Sequence, residues 1–454
     1  MIEKPEKSAV DSQLSAPTES VERQSFTARW VFLVSRPPLE NATVEVTGGR
    51  ISAVHAAAGS GACDLGHCAI IPGLINAHTH LELSDTASPL SPSEPFTAWL
   101  KAVMGHRRRR AAGTLTNPSA KSRSSDLASI GLGMAECASW GTTTIGDIAG
   151  PVSSERGSQP EYSCTGTPRS VSFLEVLGLG PERVEAQLQR AREHLEVDSQ
   201  PAPMCTGPIH NGPQRMIRGL SPHAPYSVHP DLFRGLVDLA VARRAPVAMH
   251  LAETREELQL LADGTGDFVR FLEELGVWRP DAIPPGSRPL DYLRELARVE
   301  VALAIHGNYL APDEIEFLVG HSNVSVVYCP RTHAFFRHAV HPWQMLLAKG
   351  INVALGTDSR ASNPDLSVWN ELLFLRRLAP DFDPAALLKL ATWNGALAMG
   401  LGHETGTLDV GKSADLAVVE FAGGDSTDPY ELLFNPGNRI ARTMSGGRWI
   451  GPLN

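Results

Sequence analysis

Short apolar runs alternate with longer amphipathic stretches through the middle of the chain. The runs 70–76, 141–147, 170–176, 217–222, 246–250, 301–305, 324–328 and 352–356 read as buried strands. Between them, 230–243, 254–275, 311–320 and 366–378 carry the periodicity of helices with one apolar face. Eight strands separated by helices predict an α/β chain built as a (β/α)8 TIM barrel with insertions. A doubly wound open sheet is the alternative. It gives no reason for chemistry-bearing residues to end four separate strands around one point.

The two ends have a different texture. Trp30–Val34, Ala42–Val46 and Arg50–Val54 are rich in β-branched or aromatic residues, with Gly48-Gly49 as a turn. Asp415–Val419, Ala441–Met444 and Arg448–Ile450 repeat that texture around Gly446-Gly447. One small β-sandwich domain assembled from both ends, 26–71 and 401–454, is therefore expected around a barrel at 72–400. Residues 1–25 are polar and mixed in charge, which predicts a disordered tail rather than a signal peptide.

Composition narrows the function classes. The chain has 454 residues, 42% hydrophobic and 20% charged, enough for a large core, and a net charge of -10. That acidic balance argues against nucleic acid as a partner, which relies on clustered Lys and Arg. The run Arg107–Arg110 is read as a solvated helix end or loop. Six cysteines show no paired spacing, so free thiols and a cytoplasmic location are expected. No apolar run reaches the roughly 20 residues that a membrane helix needs. Segments 107–126, 150–168 and 198–216 lack periodicity and read as loops or insertions.

Candidate chemistry sits where the apolar runs end. His78 and His80 are i and i+2, a spacing that puts both imidazoles on one face of a strand. His250 follows Pro246–Met249, His306 follows Val301–Ile305, and Asp358 follows Ile351–Thr357. A carboxylate leaving so apolar a strand is costly unless it is paired or metal-bound. His78, His80, His250 and Asp358 make three nitrogens and one oxygen, a donor set suited to Zn²⁺ or Fe²⁺ rather than Ca²⁺ or Mg²⁺. Such an ion lowers the pKa of a bound water toward ~7. Strand four offers no lysine near Arg218–Ser221, which favours one metal over two. Glu253, three residues after His250, can face the barrel mouth and move protons; a helix-start carboxylate is the other reading.

These residues, in this order, resemble the amidohydrolase superfamily in its branch of cytosine- and adenosine-type deaminases and chlorohydrolases. The resemblance rests on Pro72–His80, on Leu355–Ser359 and on Glu404–Leu416, and covers nearly the whole chain after the tail. It implies one divalent metal and hydrolytic loss of ammonia from an aromatic ring of a small molecule. By that resemblance Glu253 takes a proton from water and passes it to the ring nitrogen. Asp358 ligates metal and acts as base, and His306 orients water and stabilises the tetrahedral intermediate. His223, in Ser221–Val228, would contact substrate. His80–Ser84, Pro95–Leu100 with Trp99, and Phe173–Gly178 with Glu175 resemble the aminodeoxyfutalosine deaminases of the alternative menaquinone pathway.

One loop departs from the pattern. After strand seven the related deaminases carry Pro-x-Ser-Asn, where this chain reads Pro330-Arg331-Thr332-His333. Arg331 and His333 are candidates to recognise an acidic group such as a benzoate. Three readings stay open: a deaminase of an adenosine-like nucleoside, a chlorohydrolase, triazine-type or cyclic-amide hydrolase using the same site, and a non-catalytic binding protein on this fold. The resemblance leaves a homo-oligomer open.

Overall fold

The computed structural model describes residues 23–112, 122–150, 167–196, 216–424 and 426–451. Much of the three expected loop segments, and Cys164 and Cys205, lie outside these residues.

The chain begins with strands β1 (Arg23–Val31), β2 (Leu39–Thr47), β3 (Arg50–His55), β4 (Cys63–Asp64) and β5 (Cys68–Pro72). The barrel strands follow: β6 (Leu74–Thr79), β7 (Thr142–Ala149), β8 (Arg169–Val176), β9 (Ile217–Pro222), β10 (Val247–Leu251), β11 (Ala302–His306), β12 (Val324–Tyr328) and β13 (Val353–Leu355). Last come β14 (Leu416–Glu420), β15 (Arg439–Ser445) and β16 (Arg448–Ile450). β6 to β13 form one parallel sheet in sequence order. The expected (β/α)8 barrel is therefore present. Its remaining seam is drawn together by a parallel bridge between Thr79 and Asp358 and by the Thr357 and Asp358 amides, which donate to His78 O at 3.1 and 3.0 Å.

That seam is written in side chains as well. Asn76 donates to the Thr357 hydroxyl at 2.8 Å and accepts from the Thr357 amide at 3.1 Å. Thr79 donates to Asp358 O at 2.8 Å. At Gly356 a β-carbon would lie 2.8 Å from His78 O, so only glycine permits this approach. The first barrel strand differs from the expected 70–76. The apolar run is cut at Gly73 into β5, which pairs with β14, and β6, which pairs with β7. The Gly73 amide bonds to Asp415 O, and a β-carbon there would sit 2.2 Å from Thr143. An uninterrupted apolar run hides such a change of sheet.

The two chain ends share one mixed sheet, ordered β16-β15-β14-β5-β1-β2-β3, with β4 also on β1. Phe26, Val44, Ile51, Ile70, Leu416 and Met444 form its core. Arg23 already pairs with Thr47, so β1 starts inside the stretch expected to be tail. The expected helix 254–275 is two helices, Arg255–Asp263 and Asp267–Glu274, broken at Gly264 and Gly266, both with positive φ. Val171, Phe173, Ala248, Leu303, Ile305, Val327 and Ala354 fill the barrel interior, closed by Met399 and Leu401. A filled interior leaves the carboxyl-terminal mouth as the place for chemistry.

Candidate active site

Strand alternation aims most of the site. Ala248 belongs to the interior, so His250, two residues on, points into the mouth. Val171 and Phe173 likewise set the direction of Glu175. His306 breaks the rule. Ile305 is interior, so strict alternation would turn His306 toward the helices. Its backbone is left-handed, φ 70, and its ring instead lies 5.5 Å from His250 and 5.6 Å from His78. Ala252 (φ 52) and Asp358 (φ 55) are also left-handed. Non-glycine residues hold this conformation only where the surroundings impose it, and such strain collects at functional sites.

His78, His80 and His250 bring ligand nitrogens within 4.8 Å of one another. His80 Nε2 and His250 Nε2 are 3.4 Å apart. Asp358 Oδ1 lies 3.5 Å from His78 Nε2 and 3.7 Å from His80 Nε2. Two observations fit a cation here. His250 Nδ1 donates to His223 O at 2.9 Å, which leaves the lone pair of Nε2 bare and aimed at the cluster. Both nitrogens of fully buried His78 lack a hydrogen-bond partner among the described residues. Burial and the neighbouring imidazoles hold His80 and His250 neutral, well below the usual histidine range. Neutral imidazoles with free lone pairs beside a carboxylate make a donor set for a divalent transition ion.

Glu253 lies beside this cluster with Oε1 3.3 Å from His306 Nε2. Burial, then Asp358 and Glu257, push its carboxyl well above the usual range, so it rests ready to carry a proton. Burial holds His306 well below the histidine range. Glu253 is not the carboxylate that holds the following helix. Glu257 does that: its two oxygens accept from the Ala252 and Glu253 amides at 2.8 and 2.9 Å, while its own amide donates to Thr254 Oγ1. Thr254-x-x-Glu257 is a capping-box spacing, a signal legible in the sequence.

His223 and Glu175 form the next part of the mouth, 3.9 Å apart. His223 Nδ1 meets Ser227 Oγ at 2.7 Å. Burial lowers His223 to about 3 and raises Glu175 to about 7. The arginine run is a helix end, as expected, with Arg108 and Arg109 exposed, but its other two members are not simply solvated. It ends the helix Phe96–Ala111, and Arg107 and Arg110 turn inward to Glu82, with Arg110 also 3.4 Å from Asp85 and Arg107 4.0 Å from Glu175. Trp99 packs with Phe96 and Phe336, and its indole donates to Ala361 O at 3.0 Å.

Arg331 must be corrected too. Its guanidinium bonds to Glu371 Oε1 at 2.7 Å and to both carboxylate oxygens of Asp365 at 2.6 and 2.9 Å. Two buried or half-buried carboxylates already take its donors, so it is not available for an acidic substrate group. Glu371 and Asp365 lie some forty residues downstream, beyond any local pattern. His333 is in different company, with His338 and His341. Other supporting residues that sequence reasoning missed are Ser362, which donates to Asp358 Oδ2 at 2.8 Å, and Asp147, which accepts from the Leu81 amide behind His80.

Three imidazoles and a carboxylate meet at the mouth of the parallel barrel, with a carboxyl–imidazole pair beside them, a donor set that could hold a divalent ion. The chain belongs to the amidohydrolase family, whose pattern matches residues 178–450. It is a hydrolase acting on carbon–nitrogen bonds. A 5-methylthioadenosine/S-adenosylhomocysteine deaminase of Syntrophobacter fumaroxidans is 29% identical over 79% of this chain and 73% of its own length. An aminodeoxyfutalosine deaminase of Deinococcus radiodurans is also 29% identical, over 73% of each. Among solved structures, an adenosine deaminase from Xanthomonas campestris with bound zinc superposes with a TM-score of 0.71 at 22% identity, covering 95% of this chain and 93% of that one.

Proposed function

We propose that the chain is a metal-dependent hydrolytic deaminase of an adenosine-like nucleoside, with aminodeoxyfutalosine among the candidate substrates. The observation that carries this reading is the Glu253–His306 pair set directly against the His78–His80–His250–Asp358 cluster. Relatives named as deaminases of such nucleosides support it, and the zinc of the adenosine deaminase structure supports the metal. In this reading the three imidazoles and Asp358 hold one Zn²⁺ or Fe²⁺. Bound there, the ion supplies Lewis acidity that makes water a nucleophile near neutral pH.

The chain's residues do the rest. Asp358 accepts a proton from the attacking water. Glu253, protonated at rest by its burial, donates to the ring nitrogen beside the amino-bearing carbon. The water oxygen bonds to that carbon. Glu253, now a carboxylate, takes the remaining proton of that oxygen and gives it to the amino group. The carbon–nitrogen bond breaks, and ammonia leaves as the carbonyl forms. The proton held by Asp358 then restores Glu253. His306, held against Glu253, steadies the oxygen on which charge develops. His223 and Glu175 contact the remainder of the substrate. Phe96, Trp99, Phe336, Phe268 and Tyr226 form a buried aromatic chain that reaches His223 through Tyr226.

The test is ammonia release from adenosine, methylthioadenosine, S-adenosylhomocysteine, aminodeoxyfutalosine, guanine and triazines by zinc-loaded protein. Ammonia with a loss of adenine-type absorbance is expected from at least one nucleoside. Turnover confined to a triazine, with no nucleoside consumed, would overturn the reading.

A further inference from the structure

We propose that Asn308 is a positioning residue that holds Glu253 against His306. This role rests on the deaminase reading and adds to it the group that sets the geometry of its proton-carrying pair. Glu253 follows β10, and Asn308 lies two residues beyond His306, the last residue of β11. The two strands pair in parallel with Leu251 opposite His306. Past that point the ladder continues into the loops. The Gly307 amide donates to Leu251 O and the Tyr309 amide to Ala252 O, both at 3.1 Å. Asn308 completes it with a side chain: its Nδ2 donates to Glu253 O at 2.9 Å.

Both main-chain groups of Glu253 are thus held by side chains, the carbonyl by Asn308 and the amide by Glu257 Oε2 at 2.9 Å. Glu257 is four residues further along the same segment and fixes the local turn. Asn308 ties the Glu253 peptide to the loop that carries His306. His306 has an anchor of its own, since His341 Nε2 donates to its carbonyl at 2.8 Å. Loss of the Asn308 bond therefore frees Glu253 and leaves His306 in place.

Two features set this bond apart from packing. Asn308 is buried, and its Oδ1 has no hydrogen-bond partner among the described residues. A bare buried acceptor costs free energy that an apolar side chain of the same size avoids. Ala252, immediately before Glu253, is left-handed at φ 52. An alanine holds that conformation only where its surroundings impose it, so the segment relaxes when an anchor is lost. The Glu253 carboxyl then leaves its 3.3 Å approach to His306 Nε2. A shift of about 1 Å in a reacting group costs on the order of 10²-fold in rate. Substrate contacts and the ion are affected less. Glu175 stands on β8, His223 follows β9, and His250 is held by its own bond to His223 O.

The experiment places Asn308→Leu, which keeps the volume and removes the donor, beside Asn308→Gln, which keeps a donor. Both are assayed as zinc-loaded protein on a nucleoside that the parent deaminates. The expected result for Asn308→Leu is a fall in kcat of roughly 10- to 100-fold, with KM and zinc content within about twofold of the parent. Asn308→Gln should recover part of that loss. In a Glu253→Gln background, Asn308→Leu should cost less than about threefold more, because both changes act through one carboxyl. The same proportional loss in both backgrounds overturns the role. So does a loss carried by KM or by zinc content, or no loss at all. Should Asn308→Leu fail to fold, Asn308→Ala is read by the same ratios. If the parent deaminates no nucleoside, the deaminase reading fails by itself. A crystal structure of the metal-free variant then judges the clamp. A Glu253–His306 contact opened by about 1 Å supports it, and one unchanged from 3.3 Å overturns it.

Discussion

Among the described residues stand two groups of three buried or half-buried imidazoles, separated by little more than His306. The first, His78, His80 and His250, stands on β6 and β10. Its nitrogens converge, and Asp358 places a carboxylate 3.5 Å from one of them. The second stands after β12, with His333 in the short helix Pro330–Phe335 and His338 and His341 in the segment that follows it. Its rings are 5.4 and 5.8 Å from His333, its fixed partners are a backbone carbonyl and a tyrosine hydroxyl, and its nitrogens do not converge. Histidine count is thus a poor guide to a metal centre. Rigid strands that aim lone pairs at one point, with a carboxylate to balance charge, distinguish the first group from the second.

The largest expected effect breaks the first group. His250→Ala should lose metal and activity together, with kcat/KM down on the order of 10³-fold or more, because activation of water depends on the ion. Metal analysis beside the activity assay checks this. Glu253→Gln should separate the two properties: metal retained, kcat down on the order of 10²- to 10⁴-fold. Near-normal turnover in that variant would sink the proton-carrying role. Zinc titration of the parent should end at one tight ion per chain. Two would erase the contrast between the groups.

Arg331 tests the loop beside the second group. Removing its guanidinium leaves Glu371, fully buried, without its cation, and a broken buried pair costs about 3–5 kcal/mol. Arg331→Ala should therefore unfold at markedly lower denaturant, with similar proportional effects on carboxylated and uncarboxylated substrates. A KM rise confined to a carboxylated substrate would return Arg331 to the binding surface. A smaller effect belongs to Ser362. Its hydroxyl orients Asp358, so Ser362→Ala should weaken metal affinity by about 10- to 100-fold, measured against a competing chelator, and leave the fold intact.

The same contrast explains what the sequence disclosed. Apolar runs ending in His250, His306 and Asp358 announced the barrel and its mouth, because a buried strand admits such residues only where they have a task. Alternation even aimed His250 and Glu175 correctly. It would have misdirected His306, whose left-handed backbone is imposed by tertiary contacts. The change of sheet at Gly73 was hidden inside a continuous apolar run. Arg331 looked free because Asp365 and Glu371 meet it only after the chain has passed through β13. Arg107 and Arg110 looked solvated because Glu82, their partner, belongs to a turn more than twenty residues upstream. Strand chemistry repeats every second residue and can be read locally. Loop chemistry depends on partners that only the fold supplies.

The smallest expected effect concerns the scaffold behind the first group. Asp147 is buried, accepts from the Leu81 amide at 3.0 Å, and fixes the turn that follows His80. Burial pushes its carboxyl up to about 7 from an ordinary 3.8, against the hydrogen bond from Leu81. Between those two values the folded chain keeps a proton that the unfolded chain has released. Native stability must therefore fall, through this group, as pH rises from about 4 to 7, and the penalty stays in full above 7. Asp147→Asn keeps an oxygen for the Leu81 amide and removes the titration. In metal-free protein its Tm relative to the parent should rise between pH 5 and pH 8, by a few degrees at most. A Tm difference that stays flat across that range would mean that Asp147 is ionised in the fold, balanced by a cation. The support of the first group would then be electrostatic, unlike the neutral, hydrogen-bonded support of the second.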